Sequence, residues 1–284
     1  MSQKHILLYG LSANPPTGDE GHRGIVKYFV EHSEDSDKKF NEIWILPVYQ
    51  HASSSKRNLL DYEHRMEMCR LNFLDLSKGN GSNTNKCAVY VSNYERDIKN
   101  KLLNMEKNSS LRNNLGTINT RKSNINFKKE YIGTVDVLVE LKKTYTNTKF
   151  SFVLGHDTYF DLLNGLWKKG DEIFDNIEKL YIIKRIGVSR QNKKPNGANF
   201  KKINNNVNLN KVIPITIDKL SDISSSKIRK YFSNAKEIIN NLNNSNNSNT
   251  KLKNIFEKLN TGLYNKVFDY IISNKDIFDY YSKH

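Results

Sequence analysis

The sequence predicts an α/β fold built on a doubly wound parallel sheet, and three observations carry that prediction. Apolar runs of strand length recur along the chain, they are near-continuous rather than alternating in character, and helical patterns lie between them. Strands covered on both faces of a parallel sheet read as unbroken apolar runs. Strands that alternate with helices imply right-handed crossovers, which place helices on both faces.

Taken in order, the first strand is HILLY, His5–Tyr9, and a loop rich in Gly and Pro leads from it to a helix over His22–Glu31. EIWILPV, Glu42–Val48, is the second strand. In LLDYEHRMEMCRLNFL, Tyr62, Met66, Cys69 and Phe73 fall four, three and four residues apart. That spacing makes one buried helical stripe, with Asp61 placed as N-cap. CAVYVS, Cys87–Ser92, and FSFVLG, Phe150–Gly155, are the next strands, separated by a helix over Thr134–Lys143. A helix over Asp157–Leu163, the strands LYIIKR, Leu180–Arg185, and VIPITI, Val212–Ile217, and helices over Ser224–Phe232 and Leu263–Ile272 complete the pattern. Residues 99–129, 187–210 and 235–253 break the rhythm with Asn, Lys and Ser. They read as polar insertions into connections of one enlarged domain spanning 1–284, and they are assigned no chemistry.

Composition narrows the function classes. Hydrophobic residues make up 37% of the 284, enough for a sizeable core, so the polar insertions account for the mean hydropathy of −0.68. A net charge of +15 admits a nucleic-acid partner. Much of the excess sits in solvated runs such as RQNKKPNGANFKK without interleaved aromatics, so the reading is of no nucleic acid; a small phosphorylated substrate suits the same sign. Two cysteines, Cys69 and Cys87, are too few for a disulfide framework and lack zinc spacing. No stretch reaches the roughly 20 apolar residues of a bilayer span, so no membrane partner is expected. The expected compartment is the cytoplasm, with the nucleus left open, as is a homo-oligomer.

Three segments carry chemistry. In LLYGLSANPPTGDEGH, Gly10 ends the first strand, Pro15 and Pro16 fix the loop, and Gly21 lets His22 open a helix, where it can donate a charge-assisted hydrogen bond to a phosphate. A structural His beside Gly is the plainer alternative. In DISSSKIRKYF, Asp222–Phe232, consecutive serines open a helix at the positive end of its dipole, with Arg229 a turn further on. A Ser N-cap with a surface arginine would look the same. In VLGHDTYF, Gly155 ends a strand, and Asp157 can accept from hydroxyls or an amino group, or act as an N-cap. Trp167, in NGLWKKGDE, is either core filler or a stacking plate.

Together these segments resemble the nucleotidyltransferase superfamily with its Rossmann-like fold, and specifically the bacterial-type nicotinate/nicotinamide mononucleotide adenylyltransferases. The first motif is similar through Gly10, Asn14, Pro15, Thr17, Gly21 and His22, and the late motif Ile-Ser-Ser-Thr-x-Ile-Arg through ISSSKIR, Ile223–Arg229. Between them SSSKRNLLDYEHRMEM, YIGTVDVL with Thr134 and Asp136, LGHD, LW and IIKR resemble weaker family features in the same order. Two departures stand out: three extra residues lengthen the first motif, and Thr17 replaces the commoner His.

The resemblance implies condensation of ATP with nicotinate mononucleotide to nicotinate adenine dinucleotide and pyrophosphate in NAD biosynthesis, with nicotinamide mononucleotide as a secondary substrate and Mg2+ accompanying ATP. It implies His22, Arg229 and Thr17 as catalytic residues. It places Gly10, Leu11, Ser12, Gly21, His22, Gly155, Asp157, Ile223, Ser224, Ser225 and Arg229 on ATP. Lys56, Arg57, Thr134, Trp167 and Arg185 fall to the mononucleotide, and no protein metal ligand is expected. Rival readings are a phosphopantetheine adenylyltransferase or cytidylyltransferase of the same superfamily, and a basic nucleic-acid-binding protein with a degenerate core.

Overall fold

The structure, a computed structural model, describes residues 3–35, 39–50, 58–77, 87–113, 132–184, 208–240, 254–260 and 262–283. Among them, β1 (Lys4–Leu11), β2 (Glu42–Pro47), β3 (Ala88–Val91), β4 (Thr148–Gly155), β5 (Leu180–Lys184) and β6 (Val212–Thr216) form one sheet in the order β3-β2-β1-β4-β5-β6. Every neighbouring pair is parallel. The doubly wound parallel sheet read from the sequence is the sheet observed.

The near-continuous apolar runs have the expected cause. On β1, Leu7 and Tyr9 face a core shared with α1 (His22–Glu31) and α2 (Tyr62–Phe73). Ile6 and Leu8 face a second core shared with α4 (Thr134–Thr144), α5 (His156–Leu163) and α6 (Glu172–Asn176). Alternate side chains from Ile6 to Tyr9 thus meet two dry faces, and the polar Lys4 and His5 are confined to the start of the strand. Pro214 lies in β6, at the sheet edge, where its missing N–H breaks no ladder on the open side.

The Tyr62, Met66, Cys69 and Phe73 stripe of α2 is buried, and the Asp61 side chain accepts the Glu63 amide at 2.9 Å as its cap. Cys69 and Cys87 are free and buried, and burial pushes both thiols up, Cys87 to about 12. The far side of α2 meets a third core. Met68 packs there with Ile228 and Phe232 of α7 (Ser225–Asn240), Leu259 of the helix over residues 254–260 (α8), Val267 and Ile271 of α9 (Asn265–Ser273), and Ile277 and Tyr281 of α10 (Lys275–Lys283).

Helix bounds differ from the sequence reading where polar composition hides a buried edge. Residues 99–113 continue α3 (Tyr94–Asn113), because Ile98 and Leu102 pack on the second core. Residues 235–240 continue α7, because Ala235 is wholly buried and Lys236 pairs with Asp279 at 2.5 Å. Leu209–Lys211 forms one 3-10 turn, where Lys211 donates to the carbonyls of Phe174 and Ile177 at 2.7 and 2.8 Å. The other residues of those stretches, 114–129, 187–207 and 241–253, lie outside the described residues. No helix among the described residues is long and apolar enough to cross a membrane.

Candidate active site

Connections leave β1 and β4 toward opposite edges of the sheet, so their carboxyl ends part and open the crevice in which ligands of such sheets bind. The loop from Leu11 to Gly21 lines one side of it. Ala13 is left-handed (φ 52°), the Asn14–Pro15 bond is cis, and Asn14 and Thr17 are buried. Asn14 Oδ1 accepts the Leu60 amide at 3.2 Å and the Tyr281 hydroxyl at 3.3 Å, and its Nδ2 donates to the Tyr280 hydroxyl at 3.2 Å. The three additional residues are therefore not a slack bulge. One lies beside Asn14, braced from α10 and from the segment before α2, and the other two lie in a turn where the Gly18 amide donates to the Gly262 carbonyl at 3.0 Å and the Glu20 carbonyl accepts the Ser221 amide at 3.1 Å.

Thr17 closes a small ring with His22. The Thr17 amide donates to His22 Nδ1 at 3.0 Å, the His22 amide donates to Thr17 Oγ1 at 2.8 Å, and Oγ1 lies 2.9 Å from Nδ1. An Nδ1 that accepts a main-chain N–H holds its lone pair there, so the ring proton sits on Nε2. A proton on Nδ1 would oppose the Thr17 N–H. The geometry thus directs any hydrogen bond that the ring donates to a ligand through Nε2. Gly21, the N-cap of α1, has no room for a side chain: a Cβ there would lie 2.0 Å from Thr17 Oγ1. In effect Thr17 supplies from four residues upstream the capping oxygen that Gly21 lacks.

The late motif reaches the same loop. Arg229 Nη1 donates to the Asn14 carbonyl at 2.6 Å and Nη2 to Ser226 Oγ at 3.2 Å. Ser225 Oγ donates to the Pro15 carbonyl at 2.8 Å, and Ser224 Oγ accepts the Lys227 amide at 3.3 Å. The hydroxyl protons expected to meet a ligand are partly committed to the loop, which leaves main-chain N–H groups at the start of α7 as the donors there. The Ile223 side chain is buried in the third core and would touch a Cβ on Gly21 at 3.1 Å, so it anchors the late motif against the start of α1.

Across the crevice, Gly155 is the N-cap of α5, and a Cβ on it would meet nothing within 4 Å. Asp157 is exposed in the first turn of α5, so the N-cap alternative is not realised. Trp167 is half-buried and edge-on to Phe152, with centroids 6.4 Å apart, and Phe152 in turn is the side chain a Cβ on Gly10 would meet at 3.5 Å. Asp136 accepts the Gly133 amide at 2.8 Å and pairs with Lys168 Nζ at 3.1 Å, drawing Thr134 at the start of α4 towards the segment that carries Trp167. Lys56, Arg57 and Arg185 lie outside the described residues. Among the described residues, no group of three or more His, Cys, Asp or Glu could hold a metal ion.

Sequence reasoning missed the polar face of α2. Arg65 is 1% exposed and donates to the carbonyls of Ser12 and Val48 at 3.0 and 2.6 Å, while Asn72 Nδ2 donates to the Thr17 carbonyl at 3.2 Å. Beside His22, Arg23 forms a bidentate pair with Asp75 at 2.6 and 3.1 Å and stacks on Tyr264 at 3.9 Å. Burial pushes the Asp75 carboxyl up, but hydrogen bonds from Arg23 and Tyr264 outweigh it and hold the group below its usual range. No local signal marks Arg65 or Asn72, because α2 (YEHRMEMCRLNF) carries charged and polar residues on every turn.

A parallel sheet with a crevice at its point of reversal, lined by a helix-opening histidine and a serine-rich helix start, defines a doubly wound α/β protein with a candidate ligand site at the carboxyl ends of β1 and β4. The chain belongs to the cytidylyltransferase-like family, whose family model matches residues 14–231. It is 22% identical over 270 residues, 94% of each chain, to a protein of Leptospira interrogans serogroup Icterohaemorrhagiae serovar copenhageni named "Probable nicotinate-nucleotide adenylyltransferase". Its fold is similar to that of Plasmodium falciparum nicotinic acid mononucleotide adenylyltransferase complexed with NaAD (TM-score 0.53, 20% identity, 98% of both chains). The same holds for that protein complexed with APC (TM-score 0.52, 21% identity, 98% of both chains).

Proposed function

We propose that the chain is an adenylyltransferase that condenses ATP with nicotinate mononucleotide to give nicotinate adenine dinucleotide and pyrophosphate, a step of NAD biosynthesis. The observation that carries the proposal is the joining of the two motifs: Arg229 and Ser225 bond the carbonyls of Asn14 and Pro15, so the start of α7 and the start of α1 face one space. The names of the Leptospira and Plasmodium relatives support the nicotinate substrate.

In this reading an oxygen of the mononucleotide 5'-phosphate attacks the α-phosphorus of ATP. A P–O bond forms to that oxygen, the bond from the α-phosphorus to the bridging oxygen breaks, and pyrophosphate leaves with the electron pair. The attacking oxygen is already anionic, so no general base is needed, and the task of the protein is alignment and neutralisation of charge. His22 donates through Nε2 to the triphosphate, Arg229 and the N–H groups of Ser224 and Ser225 attract the same anion, and Gly10, Leu11, Ser12 and Gly21 form the wall behind it. Gly155 and Asp157 take the adenosine. Lys56 and Arg57 take the mononucleotide phosphate, and Trp167, Thr134 and Arg185 the pyridine ring and its carboxylate. Mg2+ accompanying ATP would supply neutralisation of phosphate charge, held by the triphosphate rather than by a protein ligand set. A site whose described donors are amides, an imidazole and a guanidinium suits that mode of entry.

The test is pyrophosphate release from ATP and Mg2+ with each of nicotinate mononucleotide, nicotinamide mononucleotide and phosphopantetheine, and from CTP with a phospho-alcohol. Release with nicotinate mononucleotide, at higher kcat/KM than with the amide, is expected. No release with either pyridine mononucleotide overturns the proposal.

A further inference from the structure

Asn72 lies in the last turn of α2, wholly buried, and it bonds the chain on both sides of His22. Its Nδ2 donates to the Thr17 carbonyl at 3.2 Å, and its own carbonyl accepts from Arg23 Nη1. The Thr17 carbonyl also accepts the Arg23 amide at 3.1 Å, while the amide and hydroxyl of Thr17 turn to His22. Those other bonds run between Thr17 and the first residues of α1, so they fix the shape of the Thr17–His22 ring without tying Thr17 to another element. The Asn72 carboxamide ties it to α2. Arg23 is held in turn by Asp75 and Tyr264, so the frame around His22 continues into the turn after α2 and the start of α9.

The chemistry around the side chain accounts for an amide at this position. Asn72 Oδ1 meets no donor among the described residues, so only the N–H side of the carboxamide is used. A buried amide left half unpaired is poorer for stability than an apolar side chain of the same shape. What the apolar side chain would lack is the N–H on the Thr17 carbonyl. We infer that Asn72 is a positioning residue: its carboxamide pins the Thr17 carbonyl to α2 and so sets the direction in which His22 Nε2 points. That His22 meets a triphosphate rests on the adenylyl-transfer reading above; the pinning rests on the contacts alone.

The experiment compares wild type with Asn72→Leu, which keeps the branched shape and loses the donor, and with Asn72→Ala, after circular dichroism has established folding. Histidine 15N shifts at a pH of about 8, above the ordinary imidazole range, report the tautomer of His22, whose signals are those lost in His22→Ala. Wild type is expected to hold the proton on Nε2. In both variants the two ring shifts should draw closer together, as in a ring that exchanges its proton between its nitrogens. kcat is expected to fall about tenfold in both, with KM for ATP within about threefold. A wild-type ring with its proton on Nδ1, or folded variants that keep the wild-type His22 shifts or the wild-type kcat, overturns the inference. If wild type turns over neither pyridine mononucleotide, the functional reading fails by itself and the His22 shifts still decide the pinning.

Discussion

Thr17 and His22 exchange hydrogen bonds: the Thr17 amide donates to His22 Nδ1 at 3.0 Å, and the His22 amide donates back to Thr17 Oγ1 at 2.8 Å. The ring is thereby fixed in orientation and tautomer together. His22→Ala is expected to slow turnover by about a hundredfold or more, because on the proposed mechanism it removes a donor to the triphosphate where charge develops. Thr17→Val keeps the amide and loses the hydroxyl, so kcat should fall about tenfold through misalignment. Thr17→Ser should restore it. Single-turnover rates on folded variants check all three, and near-normal rates for His22→Ala would make the histidine structural.

Trp167 is seated against Phe152, which lies beside Gly10, and the proposed function assigns it the pyridine ring of the mononucleotide. Trp167→Ala is expected to raise KM for the mononucleotide about tenfold while KM for ATP stays within about twofold. Fluorescence titration with each substrate gives an independent reading, since nicotinate mononucleotide should quench the wild-type signal.

Glu95 carries a pH prediction. Burial pushes its carboxyl up from 4.5 to about 8, against the amides of Tyr49 and Gln50 and the charge of Arg65, which pull it down. A carboxyl with a raised folded value contributes stability that is complete below its unfolded value and is lost as pH climbs through the folded one. Tm should therefore fall as pH rises from about 5 to about 9, and Glu95→Gln should flatten that part of the profile. Calorimetry at several pH values decides it, and equal slopes in the two proteins would refute it.

The sequence marks all of 235–253 as a passive polar insertion, but 235–240 belong to α7, so only a deletion confined to 241–249 should leave kcat within about twofold. A deletion begun at Ala235 should instead cost much of the fold, because it removes a wholly buried residue and the Lys236–Asp279 pair from α7. Turnover and thermal melts of the two deletions are the measurement.

The sheet was legible because burial on two faces leaves one compositional mark, the unbroken apolar run of β1 or β5. The start of α1 was legible as well, since Gly21–His22 after a proline loop is a local signal, and the structure begins the helix at His22. Arg65 was not. Its burial depends on carbonyls of Ser12 and Val48 brought together by tertiary packing, and nothing in EHRMEM distinguishes it from a surface arginine. Likewise α10 went unseen: Ile277 and Tyr281 give it a narrow apolar face, and the charges around them mask it. The Lys- and Asn-rich surface of α3 hid Ile98 and Leu102 in the same way.

The bond from Asn14 to Tyr280 spans 266 residues of chain. A ribosome adding about 5–20 residues per second needs tens of seconds to cover that stretch. β1 and its neighbours have emerged well before Tyr280 and Tyr281 exist to grip the loop. Synthesis therefore separates two events that the finished molecule shows as one: the sheet can assemble early, while the phosphate loop gains its last braces only when α10 arrives.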